Sequence, residues 1–183
     1  MKVLVFTIGP DRYGLPLVSI TRVLPAAALK QVPLAPDFVA GLLDLHGEPV
    51  PVIDLSRLAG LARAAVWYDT RIILADYPLP GGSAPIALLA EHVTGVETLD
   101  PHTLREPGVA SAPFLGQVAG GGTGGGGNAG RGQTGTGKTG TGKTGTGKTG
   151  TGKTGTTMLQ LVELDQLLPP EVRALLFQSK VAP

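Results

Sequence analysis

The chain has 183 residues, a net charge of +1 and no cysteine, which fits one domain and excludes a disulfide scaffold, a thiolate metal site and a cysteine nucleophile. Apolar residues make up 42% of the sequence and aromatic residues only 4%, so Val, Leu, Ile and Ala must fill the core. The apolar run at 1–8 is too short for a signal peptide, and no window reaches the roughly 18 apolar residues of a membrane span. We expect a cytoplasmic protein.

Many short strands separated by turns are predicted along the chain, with little helix. Apolar alternation bounded by Gly and Pro predicts strands at 3–8, 13–17, 41–45, 50–55, 71–75, 86–90, 93–99, 114–119 and 158–163. Short helical turns are predicted at 19–24 and 36–39, and a C-terminal helix is predicted to open at 169–171. The predicted fold class is all-β with short helices, built as barrels or a sandwich.

The segment 50–55 shows the pattern of a strand that is apolar on both faces. Val50 and Val52 share one face, and Ile53 lies on the other. Pro49 and Pro51 lack N–H donors, which places their segment at an edge or opening of a sheet. Such an edge is a plausible docking surface.

Residues 119–157 differ in composition from the rest of the chain. They hold 18 of the 28 glycines, and Thr-Gly-Thr-Gly-Lys repeats from Thr134 with a period of five. Five basic residues and no acidic ones lie there, so the other 144 residues hold 10 basic against 14 acidic residues. We predict a disordered Gly-rich insert in a hairpin turn, flanked by 1–118 and 158–183 as one discontinuous domain.

The repeats match the phosphate-binding pattern G-x-x-x-x-G-K-[ST] four times, ending at Lys138, Lys143, Lys148 and Lys153. That pattern binds nucleotide only between a strand and a helix, and a period-five repeat generates it automatically. A low-complexity linker is therefore favoured over a P-loop NTPase, which stays as an alternative. A basic tether to nucleic acid or an anionic surface is another, although the acidic balance outside the insert argues against nucleic acid as a partner.

Asp44, His46 and Glu48 alternate along one stretch and could project from one face of a strand as metal ligands or acid–base groups. His92 and His102 lie far away without ligand-like spacing, so a solvated strand surface is the favoured interpretation. No G-x-S-x-G motif occurs, and the carboxylates are scattered. We predict no catalytic residue, no cofactor and no metal ion.

One set of segments is specific in order and spacing. It comprises 5–9, 13–17, 32–39, 41–47 and 50–55, followed by 70–73, 88–96, 114–116 and 161–168. Together these segments resemble the CheW-like chemosensory adaptor family over nearly all of the 144 residues outside the insert. The resemblance implies a pair of five-stranded SH3-like barrels. It also implies a non-enzymatic adaptor that binds a CheA-type histidine kinase and the cytoplasmic tip of a methyl-accepting chemoreceptor, and that meets the membrane only through that receptor.

The resemblance also implies that the first hairpin and the region 41–55 contact the partners. The implied contact residues are Ile20, Arg22, Gly41, Asp44, His46, Gly47 and Val50. His46 stands where the family usually has arginine, and Arg22 aligns with a usual acidic residue, so these two residues are expected to tune partner specificity. The segment 168–177 resembles the adaptors of Wsp-type surface-sensing systems.

Overall fold

The computed structural model describes residues 1–62, 66–108, 112–120 and 158–177. The strands in this part are β1 Lys2–Ile8, β2 Asp11–Pro16, β3 Ile20–Pro25, β4 Val39–Leu45, β5 Glu48–Asp54, β6 Arg71–Leu79, β7 Gly82–Thr98, β8 Leu104–Arg105, β9 Leu115–Ala119 and β10 Leu159–Val162. The helices are α1 Leu55–Leu58 and α2 Pro170–Leu176, with 3-10 turns at Leu17–Ser19, Pro101–Thr103 and Leu164–Gln166. The fold is mostly β with short helices, as the sequence predicts.

The long strand β7 joins two sheets. Its first half pairs with β6 from Gly82 to Ala90 and with β5, and its second half pairs with β1 between Glu91 and Thr98. Sheet B therefore contains β3, β6, the first half of β7, β5 and β4, and sheet A contains the second half of β7 with β1, β2, β10, β9 and β8. The two strands predicted at 86–90 and 93–99 are parts of this one strand.

Side chains alternate between separate apolar cores, because successive residues of a strand point to opposite faces. In β5, Val50 and Val52 pack inside sheet B, and Ile53 packs into a larger core between the sheets. In β1, Val5 packs inside sheet A and Phe6 joins the inter-sheet core. The two-faced pattern predicted for 50–55 is confirmed, and each sheet encloses its own core.

The prediction of a helical turn at 19–24 is wrong. Leu17–Ser19 forms a 3-10 turn, and Ile20–Pro25 forms β3, which pairs antiparallel with β6. Ile20, Thr21 and Val23 are β-branched and suit a strand, so pairing with β6 prevails over the local signal that Pro25 gives. The helix start predicted at 36–39 is a turn closed by a 2.8 Å hydrogen bond from Val39 N to Pro36 O.

Strands β9 and β10 pair antiparallel, with Ala119 opposite Leu159. Strand β10 also runs parallel to β2 and packs so closely that a Cβ on Gly14 would lie 2.8 Å from Leu159 Cδ2. The segment 121–157, with its four P-loop matches, lies outside the described residues, and its assignment as an insert stays a prediction.

The C-terminal helix α2 closes one end of the inter-sheet core. Phe177, directly after the helix, is buried, and its ring stacks on Tyr77 with 5.6 Å between ring centroids. The Tyr77 hydroxyl donates to the Asp165 carbonyl oxygen at 3.3 Å. Within the described ranges, no helix is long and apolar enough to cross a membrane.

Candidate partner-binding site

A groove of about 700 Å³ lies between the two sheets, and we call it the inter-sheet groove. One wall consists of Pro16 and residues 18–21 with part of β6. The other consists of Gln117 on β9, part of β10 and the 3-10 turn that follows it. Ile20 lines the groove and packs partly against the inter-sheet core, while Val18 beside it is almost fully exposed. The walls therefore offer accessible apolar surface to a partner.

Three carboxylates, those of Asp76, Glu163 and Asp165, also line the inter-sheet groove. No basic side chain is among the described residues that line it, and none of the three carboxylates forms an ion pair with a described residue. The Thr21 hydroxyl donates to Asp76 Oδ2 at 3.4 Å. A groove with apolar walls and uncompensated negative charge fits an amphipathic segment with basic side chains.

Arg22 follows Ile20 on β3, and its side chain is exposed. The register between β3 and β6 shifts between Ile20 and Arg22, which places Arg22 opposite Leu74. Arg22 is not among the residues that line the inter-sheet groove, and its exposed side chain is accessible to a partner on β3, two residues beyond Ile20.

Asp44, His46 and Gly47 form the exposed tip of the β4–β5 hairpin. Leu45 pairs with Glu48, and the two loop residues His46 and Gly47 have φ of +57° and +89°. Two-residue hairpin loops with positive φ at both positions match the twist of the strands. Asp44 Oδ1 accepts a 2.6 Å hydrogen bond from Gly47 N, which fixes the turn.

Asp44, His46 and Glu48, which all lie in the described part of the chain, do not form a cluster of three ligands. Asp44 is engaged in the turn, and the described residues contain no group of three His, Asp or Glu side chains that could hold a metal ion. A shallow depression of about 520 Å³ beside the tip is lined instead by Lys30, Leu42 and neighbouring residues. The tip offers an imidazole and a carboxylate on a rigid turn, which suits contact with another protein surface.

Gly41 and Val50 belong to the framework of the hairpin. The Val50 side chain is fully buried in the core of sheet B. Gly41 is buried with φ +148°, and a Cβ there would lie 2.6 Å from the Lys30 carbonyl oxygen. Val50 holds the hairpin on the core of sheet B, and Gly41 allows the segment at Lys30 to approach it closely. Direct contact of these two residues with partners stays a prediction.

The structure divides the predicted contact zone into two surfaces. Ile20 lines the inter-sheet groove, whereas Asp44 and Gly47 line the depression at the hairpin tip. The sequence analysis missed the three carboxylates of the groove, because they come from β6 and from the segment after β10 and meet only through the fold. Isolated acidic residues gave no signal that could have identified them.

Residues 2–124 match the family model described as the CheW-like domain. The chain belongs to this family. It is similar to Protein FrzA of Myxococcus xanthus, with 29% identity over 113 residues that cover 60% of this chain and 68% of FrzA. It is also similar to Chemotaxis protein CheW of Klebsiella aerogenes, with 27% identity over 104 residues, 56% of this chain and 59% of that protein. The second match thus spans less than two thirds of its relative.

The fold is also that of a solved structure. The scaffolding protein TtCheW from Thermoanaerobacter tengcongensis superposes with a TM-score of 0.65 at 22% identity, over 92% of this chain and 87% of that one. At this identity the likeness establishes the fold alone. It supports the arrangement of paired β units that the sequence predicts.

Proposed function

We propose that this chain is a scaffold and adaptor that couples chemoreceptors to a CheA-type histidine kinase in a chemotaxis or surface-sensing array. The observation that carries the proposal is the match of residues 2–124 to the CheW-like domain. The chemotaxis proteins among the matched relatives support the same role. The adaptor acts by binding and has no reaction of its own.

We assign the receptor tip to the inter-sheet groove and the kinase regulatory domain to the β4–β5 hairpin tip. A groove of about 700 Å³ with apolar walls suits an inserted segment. The turn at His46 and Gly47 protrudes from sheet B and suits the face of a folded domain. Ile20 lines the first surface and Arg22 lies two residues further along the same strand, whereas His46 forms part of the second surface. We therefore assign one departure from the family pattern to each partner.

The proposed location is the cytoplasmic side of the inner membrane, which the adaptor reaches only through its receptor. The sequence 168–177 favours a Wsp-type surface-sensing system over flagellar control. These finer assignments depend on the identity of the partners, which co-purification would establish.

The test is tandem affinity purification from the native cell, with mass spectrometry, of the wild-type chain and of Arg22→Glu and His46→Asn. Asn tolerates the left-handed backbone at residue 46, so this variant removes the imidazole without straining the turn. We expect receptor recovery to fall for Arg22→Glu, because the variant loses the one cation that β3 offers to a carboxylate of the receptor. We expect kinase recovery to fall for His46→Asn. Each variant should lose about 2 kcal/mol of binding free energy. The free energy of unfolding should change by no more than about 0.5 kcal/mol.

Two matched controls carry the same chemical changes away from both surfaces. Arg105 and His102 are exposed on sheet A and beside it, so Arg105→Glu and His102→Asn should bind like wild type. Wild-type protein that recovers neither a receptor nor a kinase contradicts the proposed function. A chain with 120–157 deleted should still recover the kinase, whereas an NTPase built on the repeats would lose its activity.

A further inference from the structure

An aromatic surface lies at the end of β3 remote from the inter-sheet groove, and we define it by Val23, Val66, Trp67, Tyr68 and Arg71. Trp67 is the only tryptophan of a chain poor in aromatic residues. Trp67 is 54% exposed, Tyr68 98% and Val66 68%. These residues line a hollow of about 490 Å³ together with Val23 and Arg71. Exposed tryptophan and tyrosine around a hollow are typical of interface hot spots.

The aromatic surface is held in place by the protein itself. Trp67 N donates to Thr70 Oγ1 at 2.9 Å, and Thr70 N donates back to the Trp67 carbonyl oxygen at 3.2 Å. The Trp67 ring stacks on His92 with 5.8 Å between ring centroids, and His92 Nδ1 lies 2.8 Å from Asp69 Oδ2. Since these contacts fix the indole before any partner arrives, docking on it costs little conformational entropy.

The aromatic surface continues the proposed receptor surface along β3. Ile20 at one end of β3 lines the inter-sheet groove, and Val23 and Pro25 at the other end line the aromatic hollow. Six strand residues at about 3.3 Å each span about 20 Å. A helical segment of about 13 residues, rising 1.5 Å per residue, covers that length.

The two ends of this surface differ in charge. The groove end carries the carboxylates of Asp76, Glu163 and Asp165, whereas Arg71 is the one charged side chain among the described residues that line the aromatic hollow. Arg71 Nη1 donates to the Tyr68 carbonyl oxygen at 2.8 Å, which sets the guanidinium beside the hollow. The charges therefore favour one orientation of a partner segment that lies along β3. In that orientation the basic side chains of the partner lie at the groove and a carboxylate of the partner lies at Arg71.

We propose that the aromatic surface is the second anchor of the receptor tip, which lies along β3 and places an apolar side chain and a carboxylate against Trp67, Tyr68 and Arg71. This proposal rests on the proposed function and adds to it a site, a direction and the charge pattern of the partner. The kinase regulatory domain contacts the hairpin tip and leaves Trp67 unchanged.

The test uses the full chain labelled with 5-fluorotryptophan, which gives one ¹⁹F resonance because Trp67 is the only tryptophan. The probes are the cytoplasmic fragment of the receptor recovered by co-purification and, separately, the regulatory domain of the recovered kinase. We expect the receptor fragment to shift or broaden the resonance, and the kinase domain to leave it in place. Tyr68→Ser should weaken binding of the receptor fragment about tenfold. Leu175→Ser, which likewise replaces a large exposed side chain by a small polar one but lies on α2, should leave binding unchanged.

A receptor fragment that binds without moving the Trp67 resonance overturns the proposal, as does a Tyr68→Ser chain that binds it at wild-type affinity. A response to the kinase domain alone also overturns it, because the occupant would then be the other partner. Failure of the proposed function shows earlier and separately, as wild-type protein that recovers neither partner.

Discussion

Strands β3 and β5 were both expected to contact partners, and the structure gives them opposite roles. None of the six residues of β3 is buried, and three adjacent ones, 21–23, are exposed. In β5, the five residues from Val50 to Asp54 are all buried. The segment 50–55, one of those that carry the resemblance to the family, is therefore framework, and the accessible side chains lie on a strand that is not among those segments.

The positions of the two strands in sheet B explain the difference. Strand β5 pairs with β4 on one side and with β7 on the other, and apolar cores lie against both of its faces. Strand β3 pairs with β6 alone in the described part of the chain. An edge strand leaves one row of backbone groups and most of its side chains accessible. The residues of β3 are therefore constrained by the surface of the partner more than by the core.

The largest expected effect is the loss of stability when a side chain of β5 rather than of β3 is truncated to alanine. Ile53→Ala on β5 removes a fully buried side chain from the inter-sheet core and should lower the free energy of unfolding by about 2–5 kcal/mol. Val23→Ala on β3 removes a partly exposed side chain and should cost no more than about 0.5 kcal/mol. Urea denaturation of both variants measures the difference. Equal losses would show that β3 is as much a part of the core as β5.

The apolar strands could be predicted from the sequence because alternation and turn residues act locally. The hairpin β1–β2, strand β5 and helix α2 all follow from such patterns. The path of β7 could not be predicted, because Glu91 and His92 interrupt the apolar pattern as the residues of a turn would. Pairing with β6 and β1 nevertheless keeps the strand continuous. Long-range pairing prevailed over local signals in β3 for the same reason.

A second, smaller loss of stability is expected when alanine replaces either of two glycines with positive φ, one within β4 and one at the hairpin tip. Gly41→Ala on β4 would strain a backbone at φ +148° and also press its Cβ against the Lys30 carbonyl oxygen, so we expect a loss of about 3 kcal/mol. Gly47→Ala at the hairpin tip strains a backbone at φ +89° but meets no neighbouring atom, and should cost about 1 kcal/mol. Thermal unfolding of the two variants checks the order. A smaller loss for Gly41→Ala would mean that the segment at Lys30 gives way.

The candidate site was predicted only in part, because a contact surface depends on which elements the fold brings together. Ile20 and Arg22 were named from the resemblance, and both are accessible. Asp76 and Asp165 both line the inter-sheet groove, although Asp165 lies 88 positions along the chain from Tyr77, the neighbour of Asp76 on β6. No sequence window contains both carboxylates, so their shared surface follows from the topology alone.

The smallest effect concerns the turn that carries the aromatic surface at the end of β3. The hydrogen bond with His92 holds the pKa of Asp69 below its ordinary value near 3.8, and the charges of His92 and Arg71 act in the same direction. Because the folded state favours the ionised carboxylate, the stability that Asp69 contributes is complete above its ordinary pKa and is lost as the pH falls through the lower pKa of the folded state. Asp69→Asn should therefore unfold at a lower temperature than wild type at about pH 5, and the gap should narrow as the pH falls below the ordinary pKa of an aspartate. Asp37→Asn, at an exposed site, is the matched control. A gap for Asp69→Asn that stays constant down to pH 2 would show that the carboxylate stabilises the turn by its shape rather than by its charge.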